Sequence, residues 1–168
     1  DKNGMPTGVF IDNAMDLINQ SIAPLTVQEQ KQVLVKAMDS LASFGLTSVH
    51  DAGIDTDNLN AFKALSQENA MSIRVNAMLY LPSPNWQQTL DNGQYRSKDD
   101  MFTFNSVKIQ ADGALGSRGA ALIEDYSDHA GHKGLLLNTP KAFENLVDTS
   151  MRLGFQVNSH AIGDNANK

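Results

Sequence analysis

The apolar residues of this chain recur at helical spacing in several segments. Positions Val33, Leu34, Ala37, Met38 and Leu41 form an apolar stripe with three- and four-residue spacing, which predicts a helix beginning after Thr26. The same kind of spacing, with turn residues at the ends, predicts four more helices. They are expected at Met15–Ile22, Asn58–Asn69, Trp86–Leu90 and from Pro140 to just before Gly154.

Short segments of strand character lie between these helices. They are Leu46–His50, Ser72–Leu79, Phe104–Ala111 and Phe155–His160. Helices and strands that alternate along a chain are typical of an α/β fold with a parallel sheet. No domain linker interrupts the pattern, so we expect one partial domain over residues 1–168, with an N-terminal loop and short helix in residues 1–25.

Three local signals mark helix ends. Thr26 and Glu29 have the spacing of a capping box, in which each side chain accepts a hydrogen bond from the other residue's backbone N–H. Gly45 is placed to end the same helix, because glycine readily adopts the left-handed backbone conformation found there. Pro140, directly after Thr139, suits the first turn of a helix.

Composition excludes several kinds of partner and site. The chain has 168 residues, 41% hydrophobic and 19% charged, with a net charge of −6, so we expect no nucleic-acid partner. No apolar run is long enough to span a membrane. Cysteine is absent, so a metal would need His, Asp, Glu or a modified lysine. The compartment stays open between cytoplasm and periplasm, and the ends of the sequence lead us to expect a piece of a longer chain.

Ionisable residues stand where three predicted strands end. His50 comes before Gly53, Lys108 and Asp112 come before Gly113, and His160 comes before Gly163; the four ionisable residues are expected at one edge of a parallel sheet. Imidazole and carboxylate groups bind zinc and similar ions, and a lysine amine can do so once carbon dioxide converts it to a carbamate. Each residue could instead be a hydrogen-bonded polar group at a strand end.

Four motifs, in this order, resemble the amidohydrolase superfamily, and more closely its amidohydrolase-3 branch, which includes N-substituted formamide deformylase-like proteins. The motifs are GLTSVHDAG at 45–53, VKIQADGALGSR at 107–118, GLLL at 134–137 and VNSHAIGD at 157–164. The resemblance implies a (β/α)8 barrel with a metal site at the C-terminal end of its strands. This chain would supply a partial barrel, about strands two to five with their helices.

The resemblance also implies roles for single residues. Lys108 matches the often carboxylated lysine of the fourth strand, and His160 matches the histidine of the fifth, so both are expected to bind metal. The HxH pair, the sixth-strand histidine and the eighth-strand aspartate of the superfamily have no match. Any catalytic residue is therefore expected outside this segment.

Other polar residues are weaker candidates. His50, Asp112, Ser117 and Arg118 are expected to bind substrate, although Ser117 and Arg118 could equally serve in loop hydrogen bonding. His129 and His132 form an HAGH sequence in a polar loop where the superfamily does not place its ligands.

Taken together, the resemblance predicts part of a metal-dependent hydrolase of carbon–nitrogen, amide-like bonds in small molecules, with zinc as the expected metal. The segment alone should be inactive, bind no metal tightly, and self-associate through open sheet edges and an apolar inner sheet face. The residues expected on that face are Val49, Val75, Val107, Ile109 and Val157. Two alternatives stay open: a non-catalytic half-barrel that serves in assembly or binding, and a barrel enzyme in which a free Lys108 amine forms a Schiff base.

Overall fold

The chain packs as two compact groups of residues in a computed structural model that describes residues 5–10 and 12–168. We call Leu25–Ala111 with Asn138–His160 the sheet unit. The described part of Asp1–Pro24, with Asp112–Leu137 and Ala161–Lys168, is the loop unit. Residues 1–4 and 11, which belong to the predicted N-terminal loop, lie outside the described residues.

The sheet unit contains a sheet of five strands. They are β1 (Ser48–Ile54), β2 (Arg74–Leu81), β3 (Tyr95–Arg96), β4 (Phe102–Gln110) and β5 (Gln156–His160). Four of them run parallel in the order β1-β2-β4-β5, whereas β3 pairs antiparallel with the beginning of β4. The parallel α/β sheet expected from the sequence is therefore present.

Five α-helices accompany the strands in the described part of the chain. α1 (Asp16–Asn19) belongs to the loop unit, and a short 3-10 turn precedes it. The others are α2 (Val27–Ser43), α3 (Thr56–Gln67), α4 (Trp86–Asp91) and α5 (Pro140–Arg152). The helix expected at Met15–Ile22 is thus shorter than predicted. None of the described helices has the length and apolar character needed to cross a membrane.

The predicted helix ends are confirmed in atomic detail. The Thr26 hydroxyl accepts a hydrogen bond from the Glu29 backbone N–H, and the Glu29 carboxylate accepts one from the Thr26 N–H. Gly45 follows α2 with a φ of +82°, a conformation that glycine adopts without strain. Pro140 opens α5, whose cap is the Thr139 hydroxyl.

One face of the sheet is apolar and covered by helices of the same unit. Val75, Val107 and Ile109 are at most 2% exposed and share a core cluster with residues of α3 and α5. Phe62 of α3 stacks on Phe102 of β4 with ring centroids 5.1 Å apart. The prediction of an apolar inner face is therefore wrong. These side chains point to the helices, and the alternation of side chains along a strand places the polar ones on the opposite face.

Candidate functional site

Polar side chains line the face of the sheet opposite the core, towards the C-terminal ends of three parallel strands. Tyr80 on β2 lies opposite Lys108 on β4, and Lys108 lies opposite Asn158 on β5. One step further along, Gln110 lies opposite His160. We call these five residues the polar face. Their positions alternate with those of core residues, so their side chains leave the same side of the sheet.

The two predicted metal ligands lie together on this face. Lys108 and His160 are both half-buried. They occupy diagonal positions on adjacent strands, where Cα atoms are typically about 7–8 Å apart. Within the part of the chain that the structure describes, the Lys108 ammonium group has neither a hydrogen-bond nor an ion-pair partner. No group of the described residues competes for this amine, so it is available for a ligand or for modification.

Hydrogen bonds hold the surroundings of these two residues in place. The Tyr80 hydroxyl donates to Gln110 Oε1 over 3.1 Å. The Ala111 backbone N–H donates to the His160 carbonyl oxygen over 2.8 Å, so the ends of β4 and β5 are joined. Asn158 Nδ2 donates to the Val107 carbonyl oxygen at 3.3 Å. The polar face is therefore built on a rigid part of the sheet.

His50 does not lie at this end of the sheet, and its predicted position at a strand end is wrong. β1 continues through Asp51 to Ile54, so His50 is an exposed residue within the strand. It pairs with Asn76 of β2, four positions before the Tyr80 that faces Lys108. Four residues of a strand span about 13 Å. Asp51 and Gly53 suggested a turn, whereas pairing with β2 keeps this segment extended around a register shift.

Asp112 belongs to the loop unit, where its carboxylate is fully buried. Oδ1 accepts a hydrogen bond from the Ile162 N–H at 2.9 Å, and Oδ2 accepts from Ala121 N–H at 2.9 Å and Gly163 N–H at 2.7 Å. Backbone amides of this kind can compensate a buried charge. The contacts make Asp112 the centre of the loop unit's hydrogen bonding, and its predicted role in substrate binding stays a prediction.

The backbone around Asp112 is packed so closely that glycine is required. A Cβ at Gly163 would lie 1.8 Å from the Ala121 carbonyl oxygen, and one at Gly134 would lie 2.0 Å from that of Ala120. Both distances are far below van der Waals contact. These two glycines let three stretches of the loop unit approach one another.

Ser117 and Arg118 are exposed and take part in hydrogen bonds within the loop. Ser117 Oγ donates to the Ala114 carbonyl oxygen at 3.1 Å, and the Arg118 guanidinium forms two bonds to Asp128, at 2.9 and 3.2 Å. This pairing lowers the pKa of Asp128 and raises the pKa of Arg118. Both residues therefore form the loop hydrogen bonds that were the alternative to substrate binding. Substrate binding by either residue stays a prediction.

The candidate metal ligands on the polar face are fewer than a closed metal site requires. Lys108 and His160 supply two side chains, whereas a closed zinc site has four ligands. No cluster of three or more His, Cys, Asp or Glu residues suited to a metal occurs among the described residues. In the HAGH sequence, His132 forms a contact within the loop: its Nε2 lies 2.8 Å from the Arg118 carbonyl oxygen. Lys108 and His160 do not by themselves complete a closed site, although an imidazole and a modifiable amine are chemically suited to form part of one.

Sequence reasoning did not single out Tyr80, Gln110 or Asn158. The signal for them was the period of two in β2, β4 and β5, where these polar residues alternate with apolar or small ones. Because a parallel sheet in a barrel has helices on one side only, residues of this phase share the face that carries Lys108 and His160.

Known proteins resemble this chain along nearly its whole length. Residues 1–168 match a family model described as the amidohydrolase family. Protein LONG AFTER FAR-RED 3 of Arabidopsis thaliana is 30% identical over 98% of the chain, and YtcJ of Bacillus subtilis is 28% identical over 98%. The chain spans about a third of these relatives, 30% and 31% of their lengths.

A solved structure agrees with the sequence comparison. The crystal structure of an uncharacterized metal-dependent hydrolase from Pyrococcus furiosus superposes with a TM-score of 0.76 at 27% identity, covering 98% of this chain and 36% of that one. The predicted fold class, α/β with part of a (β/α)8 barrel, is confirmed. With a family match over every residue, this chain belongs to the amidohydrolase family.

Proposed function

We propose that the whole protein containing this chain is a metal-dependent hydrolase of carbon–nitrogen bonds in small, amide-like molecules. The observation that carries the proposal is the half-buried Lys108 amine, which lacks a partner in the described part of the chain and lies beside His160. Membership of the amidohydrolase family and the likeness to a protein described as a metal-dependent hydrolase support it.

In this proposal Lys108 and His160 hold a divalent metal, with zinc as the expected ion, together with ligands from other parts of the protein. A bound metal of this kind supplies a water of lowered pKa and polarises the scissile carbonyl. His160 contributes a neutral imidazole nitrogen, and Lys108 contributes oxygen atoms after its amine has been carboxylated. The rigid strand ends keep the two groups at a fixed spacing.

Metal analysis of the purified whole protein tests this proposal. We expect one or two zinc ions per protein, and loss of most of the metal together with hydrolase activity in Lys108→Ala and His160→Ala. Lys98→Ala and His129→Ala are matched controls, because both residues are exposed and neither belongs to the polar face. Full metal content in folded Lys108→Ala and His160→Ala proteins would refute the assignment.

The same experiment separates the alternatives. A protein that is active without metal, and that borohydride inactivates in the presence of a carbonyl substrate through Lys108, would support Schiff-base chemistry. A metal-free protein without activity would support a non-catalytic assembly or binding module. The 168-residue chain alone is expected to be inactive and to show no submicromolar zinc affinity in calorimetry, since a closed site needs more ligands than it supplies.

A further inference from the structure

A glutamine side chain stands next to both proposed metal ligands. Gln110 is two positions after Lys108 on β4, so the two side chains leave the same face of the sheet. In the neighbouring strand Gln110 lies directly opposite His160. Side chains so placed are within reach of one small molecule bound over the C-terminal end of the sheet.

One strand residue and one loop residue form hydrogen bonds with Gln110. Its side-chain oxygen Oε1 accepts a hydrogen bond from the Tyr80 hydroxyl at 3.1 Å, and its backbone carbonyl accepts one from Asn138 Nδ2 at 2.9 Å. The Tyr80 ring lies beside Gly53 of β1, with Cδ2 4.0 Å from where a Cβ would be. Tyr80 therefore has β1 beside its ring and draws the Gln110 oxygen towards its hydroxyl.

The NH2 group of the Gln110 carboxamide is available to a ligand. No described residue accepts a hydrogen bond from Gln110 Nε2, although Gln110 is half-buried. Gln110 Nε2 is not a buried unsatisfied atom, so solvent or a ligand can reach it. The neighbouring Lys108 amine carries only donors while it is protonated, and after carboxylation its oxygen atoms would be bound to the metal. An acceptor supplied by a ligand, such as a carbonyl or carboxylate oxygen, would satisfy Gln110 Nε2.

We infer that Gln110 is a substrate-binding residue whose Nε2 donates a hydrogen bond to the acyl oxygen of the amide-like substrate, and that Tyr80 is the positioning residue that orients it. The inference rests on the proposed function, because it needs the substrate to lie over Lys108 and His160. In a site of this kind a few polar groups of fixed direction determine how the ligand is oriented. Gln110 is such a group.

Binding of acetohydroxamate to the zinc-loaded whole protein, measured by calorimetry, tests the inference. This probe carries an amide-like carbonyl and coordinates zinc, so it is retained at the metal. We expect Gln110→Ala to weaken its binding about tenfold, the effect of one lost hydrogen bond. Gln110→Glu should weaken binding further, because an acceptor then faces the probe's oxygen. Tyr80→Phe, which keeps the ring and removes only the hydroxyl, should weaken binding by a smaller factor.

The order of these effects distinguishes binding from a structural role. Glutamate is nearly the same size as glutamine and still accepts from the Tyr80 hydroxyl, so a structural role would make Gln110→Glu milder than Gln110→Ala. Gln156→Ala is the matched control, because it replaces the same residue type on β5 at the opposite end of the strand. It should leave the dissociation constant unchanged.

Zinc content, measured on every variant, separates the inference from the proposed function. Absence of zinc from the wild-type protein would refute the proposed function and the inference with it. Zinc retained with unchanged probe affinity in both Gln110 variants would refute the inference alone, as would a zinc-loaded wild-type protein that does not bind the probe. Loss of zinc from Gln110→Ala would make Gln110 a support of the metal and would also overturn its assignment to substrate.

Discussion

At the scale of single residues, the buried carboxylate of Asp112 accepts hydrogen bonds from the backbone. Asp112 is 0% exposed and accepts from the N–H groups of Ile162 and Gly163, which follow β5 in the sequence. It also accepts from the N–H group of Ala121. The same carboxylate that looked like a substrate ligand in the sequence thus determines the local path of the chain in the loop unit.

Replacing Asp112 with asparagine should destabilise the protein strongly. The substitution keeps the shape but places an NH2 group against backbone N–H donors, and unsatisfied buried donors cost about 1–3 kcal/mol each. We expect a loss of about 2–4 kcal/mol in the free energy of unfolding, measured by urea denaturation. Asp164→Asn is the control, because exposed Asp164 accepts a single N–H bond, from Ile123. Equal losses in the two variants would contradict the role given to Asp112.

Stability should also depend on pH through Asp51. Burial raises the pKa of this carboxyl above its ordinary 3.8, so the folded state binds the proton more tightly than the unfolded state does. Its contribution to stability is therefore present below pH 3.8 and is lost as the pH rises through the folded-state pKa. Asp51→Asn should raise the free energy of unfolding at pH 7. The difference in this free energy between the variant and the wild-type protein should narrow towards pH 4. A difference independent of pH would refute this.

At the scale of elements, the sequence predicts correctly the features that depend on neighbouring residues. It does not predict those that depend on pairing with residues far away in the chain. The capping box of Thr26 and Glu29 and the start of α5 at Pro140 depend on residues within one turn, and both are confirmed. The end of β1 depends on pairing with β2, so the segment from Asp51 to Ile54 could not be recognised as strand. Likewise, the partners of Asp112 lie up to 51 positions away, beyond any local pattern.

Gly163→Ala should disrupt the loop unit, because a Cβ there would meet the Ala121 carbonyl oxygen at 1.8 Å and the backbone would have to move. We expect a loss of at least about 2 kcal/mol in the free energy of unfolding, as for other severe steric substitutions. Gly116→Ala is the matched control, since a Cβ at Gly116 has no neighbour within 4 Å. Hydrogen exchange of the Ala121 and Gly163 amides gives a local measure, and unchanged protection would contradict the expectation.

At the scale of the whole molecule, the structure changes the reason for expecting self-association, because the apolar face of the sheet points to the helices. The apolar face is already covered by α3 and α5. Each of β1 and β5 has a strand partner on one side only among the described residues, and open edges of this kind pair readily with other strands. The expectation of self-association now depends on those edges and on exposed apolar residues such as Phe44, which is 81% exposed.

The isolated 168-residue chain is therefore expected to form dimers or larger species at micromolar concentration, measured by multi-angle light scattering. Ser48→Lys adds a charge at the exposed start of the β1 edge and should shift the population towards monomer. Lys98→Ala, on the surface and away from both edges, should not. A monodisperse wild-type monomer that melts cooperatively would refute the prediction.

The hydrogen bonds of Asp112 also bear on when this protein can finish folding. Two of them close loops of 50 and 51 positions, whereas the capping box of α2 closes three. Because closing a long loop is entropically unfavourable and its contacts form only once both ends are present, those two bonds belong to the late part of the reaction. During synthesis on the ribosome, the Asp112 carboxylate lacks these two N–H donors until Ile162 and Gly163 have emerged. Until then, water has to solvate the carboxylate in their place.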